Sequence, residues 1–376
     1  MAEKKKQHYV PQFYLKMFSN NSKFYLYNVE SKENIGLYSY KDQCYKTYFY
    51  GKDKIWENKL QDLEAKWSEV FLKILDNNYS NVDLLREFAI FQYARTECFK
   101  SRLTQTTSLQ LKEFVKSQLA HDGITIGDEK IKEVTDKKAE ELINPSRSLD
   151  MIEKFKSIIS DLSFLKVHYN TNKKIISCDN PVLMINPYLP PHVGLGMIGL
   201  IIIFPMSPSN LGVFYDGKVY SKYKKQNVLI SNNQSEVNHI NSLIYANSDE
   251  IIFSINPFDK IILCDSNAKL RAKNKLHNNV QTLGPENNKL IITQQPTIYH
   301  NFNFSFAKID FEFAQINRDY RDSVPRMFDE GFRKKLYDRY QEWFVNMAFK
   351  DFNIDKEKYK KGYEDYYNLM IKYWDN

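Results

Sequence analysis

No two cysteines in this sequence are close enough to form a C-x-x-C unit. Cys44, Cys98, Cys178 and Cys264 stand far apart, so there is no zinc-ligand spacing and no disulfide framework, and a reducing cytoplasm is the expected setting. Long apolar runs are missing too. The longest, Val193 to Phe204, has 12 residues, too few to span a bilayer, and is expected to be a buried strand or strand pair. The opening MAEKKKQHYVPQF has no uninterrupted apolar core and no cleavage site, so it does not have the pattern of a signal peptide. Glycine and proline are scarce at 12 each, which excludes a disordered or low-complexity chain. A phosphate-binding glycine loop, a G-x-G-x-x-G turn, an H-E-x-x-H helix and a nucleophile elbow are all absent, and the commonest nucleotide, zinc-protease and hydrolase signatures go with them.

What the chain has instead is aromatic mass. Tyr (26) and Phe (25) dominate a sequence that is 43% hydrophobic and 26% charged, enough for a large aromatic core in a soluble protein without a membrane partner. The 376 residues fit one large domain or two. A net charge of +7 permits a nucleic-acid or nucleotide partner without requiring one.

Periodicity divides the chain. Residues 24–28 and 36–40 read as strands around a polar turn, 45–50 as a third strand, and Asp53 as a helix N-cap. Helical spacing fills a block over 55–160: one helix from Ile55 to Leu75, two between Asp83 and Leu119, one over 129–142, and one resuming at Leu149 after the Asn144-Pro145-Ser146 stop. Strand patterns over 163–169, 174–178, 193–204, 211–215, 219–221, 250–255 and 260–264 predict a central mixed sheet within 163–264. The helix of that region is expected over 235–247. Residues 266–289 read as a polar loop or linker, and 290–376 as a β segment with a helical tail packed on the core. In that tail Tyr359, Tyr363, Tyr366, Met370 and Tyr373 form a stripe of the packing kind. The fold class is therefore α+β: a small amino-terminal sheet, a helical block, a central mixed sheet and a helical carboxy-terminal tail within a core domain of residues 1–265.

Several polar residues stand where apolar ones would be easier. His8 and Gln12 lie in Gln7-His8-Tyr9-Val10-Pro11-Gln12-Phe13-Tyr14-Leu15, a segment too apolar to be left in water. The segment is expected to be a plug that carries His8 to a shared polar site. Glu64 borders the apolar face of its helix, beside Trp67 and Phe71, and equally suits a glutamate reaching solvent. Gln92 and Arg95 share a stripe with Phe88, Phe91 and Phe99, where a guanidinium needs an anion, either structural, such as Glu64, or a substrate phosphate. Asp179 and Asn180 end a strand, either as a turn before Pro181 or as a carboxylate presented at a sheet end. Ser207 ends the most apolar strand in the same way. Asn238 and Asn241, three apart on the short helix, can satisfy loop carbonyls.

Taken in order, H-Y-V-P-Q-F-Y-L-x-x-F-S from His8, E-N-K-L-x-x-L-E-A-K from Glu57, F-Q-Y-A-R-T, S-C-D-N-P, F-P-M-S-P and the asparagine helix resemble a bacterial family known as domain of unknown function 4238, over roughly residues 7–255. Glu97 and Cys178 depart from that family's usual residues. The resemblance implies that the polar positions belong together; it supplies no reaction.

Two expectations follow. In one, His8, Glu64 and Asp179 are catalytic, while Gln12, Gln92, Arg95, Asn180, Ser207, Asn238 and Asn241 bind substrate. That set suits a nuclease-like hydrolase acting on nucleic acid or nucleotides, with or without Mg²⁺ or Mn²⁺, and would fit a phage-defence or toxin role. In the other, the same residues form a structural network within a ligand-binding or protein-interaction module.

Overall fold

The computed structural model describes residues 6–269 save 189–192, 221–222, 224, 261 and 265, together with 277–283, 288–294 and 304–309. The helical tail expected over 327–375, its tyrosine stripe included, lies outside the described residues.

Alternation begins the chain. In β1 (Lys6–His8) Gln7 points inward and His8 outward, and the strand pairs antiparallel with β4 (Tyr45–Thr47). This is the first correction, since residues 45–47 were expected to extend the amino-terminal hairpin. The hairpin itself, β2 (Lys23–Asn28) and β3 (Glu33–Ser39), forms as its alternation predicts. It is completed by β6 (Ser177–Cys178) and β11 (Ile251–Ser254) into a four-stranded sheet of order β3-β2-β11-β6. Both late strands were expected in the central sheet. The run Ile251-Ile252-Phe253 needs cover on both faces, which an interior position in this sheet supplies.

Between β1 and β2 lies the short helix α1 (Gln12–Met17). The helical block comprises α2 (Ile55–Leu75), α3 (Val82–Ala94), α4 (Glu97–His121), α5 (Asp128–Leu142) and α6 (Pro145–Phe155). At the start of α2 the Asp53 carboxylate does accept an amide, from Ile55, although Lys54 occupies the cap position itself. Asn144 does more than the expected stop after α5. Its side chain accepts from Arg147 N at 2.9 Å and Pro145 takes the first turn, so the Asn-Pro pair opens α6 as well as ending α5.

The central sheet has order β10-β5-β9-β8-β7, built from β5 (Ser163–Tyr169), β7 (Leu183–Ile185), β8 (Ile201–Ser207), β9 (Asn210–Tyr215) and β10 (Val228–Ser231). Only β10 runs parallel to its neighbour, so the sheet is mixed. Its two faces are both buried. Phe164, Ile202, Phe204 and Phe214 join α1, α2, α3 and α6 in one aromatic core. Leu165, Val167, Ile201, Ile203 and Val213 join α7 (Gln234–Asn247) in a second. Gly212 is required opposite Phe204, where a Cβ would stand 2.5 Å from the Phe204 ring.

Two expected strands, and the first part of a third, are not strands. Val193 to Leu200 precede β8 as turns, ending at Gly199, whose φ of +76° is closed to other residues by Tyr188 and Asn186. Val219 and Tyr220 curl under Asp216, which accepts from Lys218 N and Gly199 N, each at 3.0 Å. The described part of 260–264 turns through the Asp259 carbonyl. Conversely, part of the expected polar loop 266–289 is strand. β12 (His277–Leu283) pairs antiparallel with β13 (Asn288–Gln294), because Leu290-Ile291-Ile292-Thr293 is a strong strand former and recruits its polar neighbour. The fold class is α+β.

Candidate functional site

The alternation of β1 decides what the amino-terminal segment delivers. Gln7 is fully buried and splints the loop before α2: Tyr50 N donates to its Oε1 at 2.6 Å, and its Nε2 donates to Gly51 O at 3.2 Å. Tyr9 packs inward on Phe49. Between them the His8 ring faces outward, half-buried, with Nε2 3.2 Å from Lys41 O and 3.4 Å from Gln12 Nε2, and its plane tilted over Tyr45. Burial holds the imidazole below its usual pKa, opposed by the Lys41 carbonyl and by Glu64. The segment is docked, as expected, but it carries main-chain oxygens to the interior. The imidazole makes no ion pair with Glu64 or Asp179 among the described residues.

Those oxygens meet α3. Arg95 follows its last turn and is 1% exposed. Its Nη2 donates to His8 O at 2.6 Å and its Nε to the Tyr50 hydroxyl at 2.8 Å. Tyr50 in turn donates to His8 O at 3.1 Å. Nη1 stands 2.7 Å from Glu64 Oε1, but its N–H bonds do not line up on that oxygen, so this contact is chiefly coulombic. Burial opposes the charge on Arg95; Tyr50 and Glu64 outweigh it and keep the guanidinium titrating above its usual value. One turn earlier Gln92 Nε2 donates to Tyr9 O at 3.0 Å. His8, Glu64, Gln92 and Arg95 are thus brought together, with His8 represented by its carbonyl.

Asp179 belongs to a second cluster. At the end of β6 its carboxylate accepts from Asp249 N (2.9 Å), Glu250 N (2.7 Å) and Ile251 N (3.0 Å), and so fixes the entry to β11. Burial pushes its pKa up to about 7 against the pull of those three amides. Asn180 accepts from Thr96 Oγ1 at 3.2 Å and donates to Asn247 O at 3.0 Å, while Asn247 Nδ2 donates back to Asn180 O at 2.6 Å. Arg95 and Thr96 are consecutive, so one peptide unit joins the two clusters. Beside Asp179 lies a pocket of about 70 Å³, lined by Tyr9, Lys46, Glu97, Cys98, Asp179, Asp249 and Glu250. Lys46 and Glu97 form an ion pair across part of it at 2.9 Å. Among the described residues no three His, Cys, Asp or Glu side chains stand together as a metal site.

The remaining candidates serve elsewhere. Ser207 accepts from Asn210 Nδ2 at 2.8 Å and closes the β8–β9 turn. Asn241 accepts from Ile176 N at 3.0 Å and donates to Lys174 O at 2.9 Å, tying the approach to β6 onto α7. Asn238 is half-buried and offers its main-chain oxygen to Ser242. Gln12 is exposed and reaches only the His8 ring. Sequence reasoning missed Gln7, Tyr50, Thr96 and Asn247. Gln7 was open to inference, because it sits two residues before Tyr9 on a strand whose apolar partners face inward.

Neither a curated protein nor a solved structure matches this chain. A family model described as a protein of unknown function, DUF4238, matches residues 6–257, a span that holds both clusters from Gln7 to Ile251. With two thirds of its length covered by that match, the chain belongs to the DUF4238 family.

Proposed function

We propose that this protein is a binding or interaction module in which the family's polar residues are a structural clamp. The observation that carries this reading is the guanidinium of Arg95. It is buried, and its neighbours are protein groups: two oxygens of the clamp as hydrogen-bond acceptors and Glu64 as counter-charge. An arginine 1% exposed, with Glu64 against its Nη1, presents no open edge to a substrate phosphate. Asp179 supports the same reading, since both of its oxygens already accept amides. The pocket beside it, at about 70 Å³, is also far below the several hundred Å³ usual for a small-molecule site, so it does not suit a nucleotide.

The nuclease reading needs His8 as a general base, or His8 with Glu64 and Asp179 around a divalent metal, and Arg95 as an anion holder, and it rests on residue types and a mildly basic charge alone. One experiment separates the two. The protein is incubated with total RNA, plasmid DNA and nucleotides, in Mg²⁺, in Mn²⁺ and in EDTA, and Arg95→Met is melted beside the parent chain. The module reading expects no turnover and a stability loss of about 3 kcal/mol, as for a buried pair stripped of one partner. Turnover that disappears in His8→Ala, with Arg95→Met as stable as the parent, would overturn it.

A further inference from the structure

Residues 304–309 begin 47 positions beyond the end of the family match, yet Phe304, Phe306 and Ala307 are buried, at 3%, 1% and 7% exposure. Phe304 and Phe306 are stacked with ring centres 4.9 Å apart, and both sit in the second core with α7, Tyr223 and Ile262. Between them Ser305 is held at two points. Its Oγ donates to Glu236 Oε1 at 2.8 Å, and its carbonyl accepts from the Tyr223 hydroxyl at 2.7 Å. Ala307 N returns to Phe304 O at 3.1 Å, so the segment is a closed turn.

Glu236 makes this arrangement directional. It lies in the first turn of α7 and is 1% exposed. Its Oε1 accepts from Tyr169 at 2.7 Å as well as from Ser305, and its Oε2 has no partner among the described residues. A buried carboxylate held by two hydroxyls on one oxygen depends on both. The slot therefore suits an aromatic, a hydroxyl and an aromatic in succession: the two rings stack together in the second core, and the hydroxyl between them reaches the polar anchor, Glu236.

We infer that the amino end of α7 is a peptide-docking surface, and that its occupant is this chain's own Phe304-Ser305-Phe306 turn. The inference stands apart from the module reading, because the slot involves neither Arg95 nor Asp179. Docking here fixes Ser305 at the first turn of α7. Glu236, which anchors it, lies about 16 Å along α7 from Asn247, which grips Asn180 at the helix's other end.

The test uses the full-length chain carrying Phe304→Ala and Phe306→Ala together, compared with the parent by hydrogen exchange. A docked segment predicts roughly tenfold faster exchange at the start of α7 and around Tyr223, with α2 and α3 unchanged. A fluorescein-labelled peptide of residues 303–309 should then bind the double variant and not the parent, whose slot is filled. Ser305→Ala, a milder change, should accelerate exchange over the same amides by a smaller factor. Three results would each overturn the inference: unchanged exchange at α7, equal loss of protection in α2 and α3, or a peptide that binds neither protein.

Discussion

A carboxyl group in water gives up its proton near pH 3.9, whereas Asp179, at the end of β6, holds its proton up to about 7. Burial is the cause, and the amides of Asp249, Glu250 and Ile251 only partly offset it. Because the folded state binds that proton more tightly than the unfolded chain, Asp179 contributes its full stability below about pH 4 and loses it as pH rises through about 7. Melting temperature followed from pH 4 to 8 should therefore carry a downward component, and Asp179→Asn should remove that component. A variant whose pH profile parallels the parent's would show that the amides cancel the effect of burial and leave the carboxyl titrating as it does in the unfolded chain. His8 works in the other sense. Its depressed pKa favours the folded state as pH rises through the ordinary histidine range. Composition could locate Asp179 at a strand end, but whether its environment was dry was invisible, because the groups that dry it come from Tyr9, α4 and the start of β11.

Elements were legible where one period governed a long stretch. Ile55 to Leu75 was read to the residue, since Leu60, Trp67, Val70, Phe71 and Ile74 repeat at helical spacing and all are buried. Short strands were harder. Val219-Tyr220 has strand-forming residues, yet it turns because Asp216 captures the amide of Lys218 and, through its carbonyl, those of Val219 and Tyr220. Beyond the β2–β3 hairpin, strand partnership was not legible: β4 pairs with β1, and β11 with β2, through contacts more than thirty residues apart. The aromatic density did foretell how the elements meet. Phe88 on α3 touches Phe13, Tyr14, Trp67, Phe71 and Phe204, which come from α1, α2 and β8. Phe88→Ala should cost about 3–5 kcal/mol in urea unfolding. A loss below about 1 kcal/mol, the scale of a volume-conserving core exchange, would mean that the neighbouring rings close the gap.

At the scale of the molecule, two sheets share two cores. Ile251 and Phe253 face the first and Ile252 the second, just as Phe164 and Leu165 do on β5. The clamp around Arg95 and Thr96 ties the end of α3 both to the amino-terminal segment and to the end of β6. The family resemblance implies that the polar motif residues belong together, yet Ser207, Asn238 and Asn241 stand elsewhere. That the others would form two clusters, joined by one peptide bond, was not readable in the sequence, because it depends on α3 ending at Ala94 and α4 beginning at Glu97. No helix among the described residues is long and apolar enough to cross a membrane.

Lys166 sits on β5 with its ammonium against the end of α2, donating to Ile74 O (3.0 Å), Leu75 O (3.1 Å) and Asn77 Oδ1 (2.7 Å), and it is 3% exposed. Its position fastens the central sheet to the helical block at the negative end of a helix dipole. The same position makes it a chemical clock. An acylating reagent that modifies surface lysines within minutes should leave Lys166 untouched, and its modification should keep pace only with opening of the whole molecule. Peptide mass mapping across a urea series would read this directly. If Lys166 reacted as early as Lys41 or Lys52, the sheet and the helices would be parting before the rest of the fold gives way.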